Sequence, residues 1–198
     1  ATSNGLYTGT RDPSGGWTAA SFALVPGTQG QAWGVQNIAG ELWVSHHEGP
    51  YLLASPARAQ RMGDIGGTWT FAQLGANPQL LIGGGYNGIY LFEKKGGDWS
   101  LWKKVPGIEE SCRILALEND RLLWVAHPYR GIFQLRFAAD YSSAEIRFFN
   151  ASRGLPSNNF NHVFKIGDEV DFATEKGLYR FDKLRDSFEP YAALNPYF

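Results

Sequence analysis

The chain has 198 residues, 43% hydrophobic and 15% aromatic, which is ample material for the core of one domain or a small pair. Its 18 basic and 19 acidic residues nearly cancel and form no basic stripe, which weighs against nucleic acid as a partner. No apolar run approaches the roughly 20 residues of a membrane span, and the opening Ala1-Thr2-Ser3-Asn4 lacks the charged-then-apolar order of a signal peptide.

The first element in chain order is a glycine-led phrase, Gly5-Leu6-Tyr7. It recurs at Gly49-Pro50-Tyr51-Leu52, Gly88-Ile89-Tyr90-Leu91, Gly131-Ile132-Phe133-Gln134 and Gly177-Leu178-Tyr179-Arg180, a period of 39 to 46 residues. A second phrase ending in a small residue precedes four of these glycines: Trp43-Val44-Ser45, Leu81-Ile82-Gly83, Trp124-Val125-Ala126 and Asp171-Phe172-Ala173. Turn-forming pairs stand ahead of those strands at Ala39-Gly40, Asn77-Pro78, Asn119-Asp120 and Gly167-Asp168. Innermost strands are predicted over residues 32–37, 69–74, 113–117 and 162–166, and outermost strands over 17–24, 58–62, 99–104, 145–149 and 188–191.

Four strands per repeat, with aromatics at fixed offsets and no sustained 3.6-residue period, specify an all-β fold, a β-propeller. Trp43, Leu81, Trp124 and Phe172 are expected at one aligned position, packing blade against blade. The chain opens in the third strand of a blade, so the prediction is a partial propeller of about four and a half four-stranded blades. Its approximate boundaries are 1–25 for the half blade, then 26–66, 67–107, 108–150 and 151–198. Unpaired strand edges are aggregation-prone, so the segment is expected to be part of a larger ring or to pair its open edges with a second copy.

Residues 154–164, Gly-Leu-Pro-Ser-Asn-Asn-Phe-Asn-His-Val-Phe, followed by Phe172-Ala173-Thr174-Glu175-Lys176-Gly177-Leu178-Tyr179-Arg180-Phe181-Asp182, resemble the two-component regulator propeller repeat. The units at 31–54, 68–92 and 111–135 match that repeat more loosely, and Asp171 stands where the family usually has tryptophan. The resemblance implies the sensor region of a bacterial hybrid two-component system or an extracellular relative, periplasmic or extracellular in location, that binds a ligand and signals onward.

Several chemical motifs give way to the repeat register. Gly83-Gly84-Gly85-Tyr86-Asn87-Gly88 satisfies the G-x-G-x-x-G pattern, but a strand follows where a dinucleotide site needs a helix, so its glycines are assigned to a turn and no cofactor is expected. Asp64-Ile65-Gly66-Gly67-Thr68-Trp69 resembles the Asp-box of sialidase-type propellers, yet the register places it between blades rather than inside a hairpin. His46 and His127 occupy matching positions, with His47 and Glu48 beside the first. The other blades offer Gly84 and Thr174 there, too few ligands for zinc, and no metal is expected. The single cysteine, Cys112, reads as a small buried hydrophobe.

What remains is a loop face collecting His46, His47, Tyr86, Asn87, Tyr129, Arg130, Asn158, Asn159, Glu175 and Lys176. Aromatic rings beside amides and charges suit an oligosaccharide or peptide, which needs flat stacking and directional hydrogen bonds. The sequence therefore favours a non-catalytic ligand-sensing or interaction module. Two alternatives stand beside it: a sialidase-like propeller hydrolase or lyase, and a protein-interaction or dimerisation scaffold.

Overall fold

A computed structural model of the chain describes residues 1–194. Its strands form one two-stranded sheet and four four-stranded antiparallel sheets. The first sheet pairs β1 (Gly5–Gly9) with β2 (Phe22–Gln29). The second runs β3 (Ala32–Ile38), β4 (Glu41–His46), β5 (Gly49–Ser55) and β6 (Arg58–Arg61), and the third runs β7 (Thr68–Gln73), β8 (Leu80–Gly85), β9 (Gly88–Lys95) and β10 (Asp98–Lys104). The fourth contains β11 (Ile114–Asn119), β12 (Leu122–His127), β13 (Gly131–Phe137) and β14 (Ala144–Phe149); the fifth contains β15 (His162–Ile166), β16 (Glu169–Thr174), β17 (Gly177–Asp182) and β18 (Ser187–Pro190). Each four-stranded sheet is a meander in chain order, and the first strands β3, β7, β11 and β15 lie beside one another. This is a partial β-propeller of a half blade and four whole blades.

The recurring glycine opens the third strand of every whole blade for a steric reason. Gly49, Gly88, Gly131 and Gly177 have φ of 126°, 135°, 127° and 107°, a region that side chains disfavour. A Cβ on Gly49 or Gly88 would stand 2.8 or 2.6 Å from the carbonyl oxygen of Ile65 or Ile108, and one on Gly131 would strike that of Phe149.

Four apolar clusters lie between successive sheets and hold the blades together. Leu6 and Val25 meet Val44 and Tyr51; Trp43 meets Phe71, Leu81 and Phe92; Ile82 and Ile89 meet Leu123 and Val125; Trp124 and Ala126 meet Val163 and Phe172. The expected alignment of Trp43, Leu81, Trp124 and Phe172 is therefore corrected. The residues facing the next blade are Trp43, Ile82 and Trp124, while Leu81 and Phe172 face the preceding one, because adjacent residues of a strand point to opposite faces. In the last blade the position matching Trp43 is Asp171. Its side chain is buried and accepts a 2.7 Å hydrogen bond from Arg180 Nε, and the Arg180 guanidinium lies 3.7 Å above the Tyr191 ring.

Two further expectations change. The outer strand predicted over 17–24 is β2, which starts at Phe22 and runs past residue 25 to Gln29. Ahead of it, Asp12 Oδ1 accepts from the Ser14 and Gly16 amides at 2.9 Å and closes a turn, which leaves Trp17 stacked on Phe22 outside the sheet. Gly83, Gly84 and Gly85 belong to β8 itself, and the turn is only Tyr86-Asn87. A Cβ on Gly84 would collide with the Cys112 carbonyl oxygen, so the glycine run admits the next blade at close range.

Candidate ligand-binding site

The inner strands end in two open cavities of about 540 Å³ each. One is lined by Leu115, Leu117, Val163 and Phe164 together with the polar Asn119, Lys165 and Asp120, the carboxylate of Asp120 being already engaged by the Gly75 and Ala76 amides at 2.7 and 2.5 Å. The other is built from Trp33, Trp69, Arg113, Ile114, Pro128, Tyr129, Phe160, Asn161 and His162. A smaller cavity of about 80 Å³ lies among Trp124, Phe172 and Arg180.

The second cavity has a repeat logic. Trp33, Trp69, Arg113 and His162 stand where the first strands of four successive blades begin. Trp33 and Trp69 each fall where the strand register shifts, between Ala32 and Gly34 and between Thr68 and Thr70. A bulge re-aims one side chain out of the alternation, so two indoles leave their sheets and meet. Their rings lie 4.8 Å apart, and Tyr86 extends the row 4.7 Å beyond Trp69. Arg113 sits 4.8 Å over the Trp69 ring, while Trp69 Nε1 donates to Ser111 Oγ at 3.0 Å, which fixes the indole from its far edge. Across the opening, Tyr129 and Phe160 meet edge to face at 6.1 Å and are 66% and 61% exposed. The buried Asn161 donates through Nδ2 to Ser157 O at 2.8 Å, but its Oδ1 has no hydrogen-bond partner.

Of the residues expected from sequence, the structure brings Tyr129 into this cavity and Tyr86 to the end of its aromatic row. His47 is an exposed turn residue whose Nδ1 lies 2.9 Å from the Tyr86 hydroxyl. His46 is not a loop residue at all: it ends β4, fully buried, with Nε2 3.3 Å from Thr28 O and Nδ1 accepting from the Glu48 amide at 3.0 Å. Burial holds its pKa below the usual imidazole value, so the neutral ring is a packing element without free surface for a ligand. Asn87 accepts from the Tyr90 hydroxyl and Asn158 from the Ala151 amide, both structural uses, and Asn159 is exposed next to Asn158. Arg130 is paired with Glu110, which also lies 3.8 Å from His127. Glu175 and Lys176 form the exposed turn after β16 and line none of the three cavities.

Other chemistry is sparse. Cys112 is buried in the cluster between the third and fourth blades, and desolvation, reinforced by the nearby Glu110 charge, pushes its thiol up to about 12. Residues 64–67 join β6 to β7, so the Asp-box-like segment does lie between blades. Among the described residues no group of three or more His, Cys, Asp or Glu side chains is placed to hold a metal ion, and no helix is long and apolar enough to cross a membrane.

No family model matches the chain, and no curated protein matches it. Solved structures do. A protein from B. thetaiotaomicron described as the extracellular domain of a hybrid two-component system superposes with a TM-score of 0.66 at 17% identity, over 96% of this chain and 27% of that one. A second such domain from the same organism gives 0.62 at 15% identity, over 93% of this chain and 23% of that one. A protein from Bacteroides fragilis described as a 6-phosphogluconolactonase gives 0.60 at 9% identity, over 95% and 64%. The chain thus spans about a quarter of these two extracellular domains, which belong to the class of protein whose repeat its sequence resembles. At such identities the likeness establishes the fold, which hosts sensors and enzymes alike.

Proposed function

We propose that this chain is a ligand-sensing module of a bacterial signalling protein, located outside the cytoplasm, non-catalytic, and that it binds a hydroxylated ring ligand, an oligosaccharide, in the aromatic cavity. The observation that carries the reading is the Trp33–Trp69 pair. Two indoles lifted from neighbouring strands by matching bulges pack on each other across the blade boundary at 4.8 Å with a 35° tilt, and Trp33, which remains 38% exposed, offers an apolar ring surface to the cavity. The apolar faces of sugar rings stack on such surfaces while their hydroxyls seek polar partners at the rim. Asn161 Oδ1, a buried acceptor without a donor at the cavity wall, is the group a ligand hydroxyl would satisfy. Extracellular domains of two-component systems share the fold, which supports the signalling context.

The test is tryptophan fluorescence and calorimetry with a panel of oligosaccharides, on the wild type and on Trp33→Ala. Binding that Trp33→Ala weakens at least about tenfold, with thermal unfolding unchanged, supports the assignment. Binding of equal strength in the variant, or no binding by any member of the panel, would sink it.

A further inference from the structure

Resting on the sensing function proposed above, we infer that the ligand of the aromatic cavity is anionic: an acidic oligosaccharide whose ring lies on the Trp33–Trp69 pair and whose charged group is taken by Arg113. The cavity lining contains Arg113 and His162 but neither Asp nor Glu. Arg113 is exposed, and among the described residues it has no carboxylate partner. Arg61, Arg130, Arg147, Arg180 and Arg185 each pair with a carboxylate among the described residues, whereas Arg113 shares with Arg11, Arg58, Arg121, Arg136 and Arg153 the lack of one, and of these six it alone lines the aromatic cavity. The nearby carboxylate of Glu110 is held by Arg130 and does not line the cavity.

What Arg113 has instead is the face of Trp69, 4.8 Å from its guanidinium carbon. Stacking occupies the face of a guanidinium and leaves its N–H edge free, which is the edge that grips a carboxylate or sulfate. The stack also limits the side chain's rotamers, so less freedom is lost when an anion is bound. A chain with a formal net charge of −1 has no general attraction for polyanions, so anion recognition in this cavity rests on a locally positioned cation, Arg113. A ring with a charged substituent on its rim fits both elements: the ring meets the exposed surface of the indole pair at Trp33 and the anion reaches the guanidinium that lines the same cavity. A neutral sugar would meet the indoles and leave Arg113 without use.

The experiment compares hexuronate oligosaccharides, each beside its own methyl ester, with a sulfated oligosaccharide arm alongside. Esterification keeps ring and hydroxyls and removes only the charge. Wild-type protein should bind the acid or the sulfate at least about tenfold tighter than the ester, the size of one charge-assisted hydrogen bond. Arg113→Gln should erase that preference by weakening the acid or sulfate far more than the ester, with the thermal unfolding curve kept, and Arg113→Lys should keep part of it. The tighter of the two arms identifies the anion. Equal binding of acids, sulfates and esters by the wild type overturns the anionic ligand and leaves the sensing function standing. A preference that survives Arg113→Gln overturns the role of Arg113. No binding by acids, sulfates or neutral oligosaccharides removes both.

Discussion

Gln36 and Phe71 join two blades as though they were neighbouring strands. The Gln36 carboxamide on β3 donates through Nε2 to Phe71 O at 3.0 Å and accepts from Phe71 N at 2.9 Å, so one side chain closes a two-bond ladder to the backbone of β7. Sheets of a propeller meet face to face and leave such backbone groups at the inner strands without a partner of their own. Replacing Gln36 by leucine removes both bonds, and with them the 3.3 Å bond that Oε1 accepts from the Thr70 hydroxyl, and should lower stability by about 1–3 kcal/mol. Glutamate should cost more, because it keeps an acceptor for Phe71 N but sets a carboxylate against Phe71 O. Urea unfolding monitored by circular dichroism measures both, and a leucine variant as stable as the wild type contradicts this role.

The repeated glycine makes an equally specific demand. Gly131→Ala must hold an alanine at φ 127° with its Cβ driven into the Phe149 carbonyl, a loss of at least about 2 kcal/mol if the strain is fully felt. Gly66→Ala, in the loop between the second and third blades with open space around it, should stay within about 0.5 kcal/mol of the wild type. Thermal unfolding of the pair separates a requirement for glycine at the repeat position from a general intolerance of substitution.

That same glycine explains how much of the molecule could be read from the sequence. Its period placed the strands β5, β9, β13 and β17 at their first residues, because a conformational requirement repeats wherever the geometry does. The second strand of the third blade was less legible. Gly83, Gly84 and Gly85 offer several equally small residues to align on, and a slip of one exchanged Leu81 for Ile82 and with it the face each presents. The site was half legible for a different reason. Turn residues such as Tyr86 and Tyr129 announce themselves by position, whereas Trp33 and Trp69 sit inside strand patterns and leave them only through bulges, which are tertiary features. A hint was present, since the matching positions of four repeats hold Trp33, Trp69, Arg113 and His162, too varied and too polar for a shared packing role. Nothing in the pattern distinguished the buried His46 from its exposed neighbour His47.

His46 makes stability depend on pH. As a neutral ring with its proton on Nε2 it donates to Thr28 O and accepts from the Glu48 amide; a second proton would set two N–H groups against each other at Nδ1. Burial lowers its folded pKa, so between that value and the ordinary one near 6.5 the unfolded chain binds more protons. Stability from this residue is therefore complete above about pH 6.5 and is lost as pH falls through the folded value. His127 is shifted in the same direction, by burial that the nearby Glu110 partly opposes, and adds to the slope. Urea midpoints at pH 7.5 and 5.5 should show the wild type weakened at the lower pH and His46→Gln weakened less. Parallel losses in the two proteins would remove His46 as a source.

Tyr129 and Lys176 were equal candidates on the sequence, and the structure separates them. Tyr129 faces the opening of the aromatic cavity with its ring against Phe160, whereas Lys176 lies in the turn after β16 and lines none of the cavities around the inner strands. Tyr129→Ala should weaken oligosaccharide binding roughly threefold to tenfold, the loss of one aromatic wall at a solvated rim. Lys176→Ala should leave affinity within about a factor of two, since an exposed charge outside the site acts only through a screened field. Both residues are exposed, so neither change should move the unfolding temperature by more than a degree or two, which keeps the comparison free of folding effects. Calorimetric titration of the two variants against one hexuronate oligosaccharide decides the matter. A larger loss in Lys176→Ala than in Tyr129→Ala would move the site from the ends of the inner strands out to the turns.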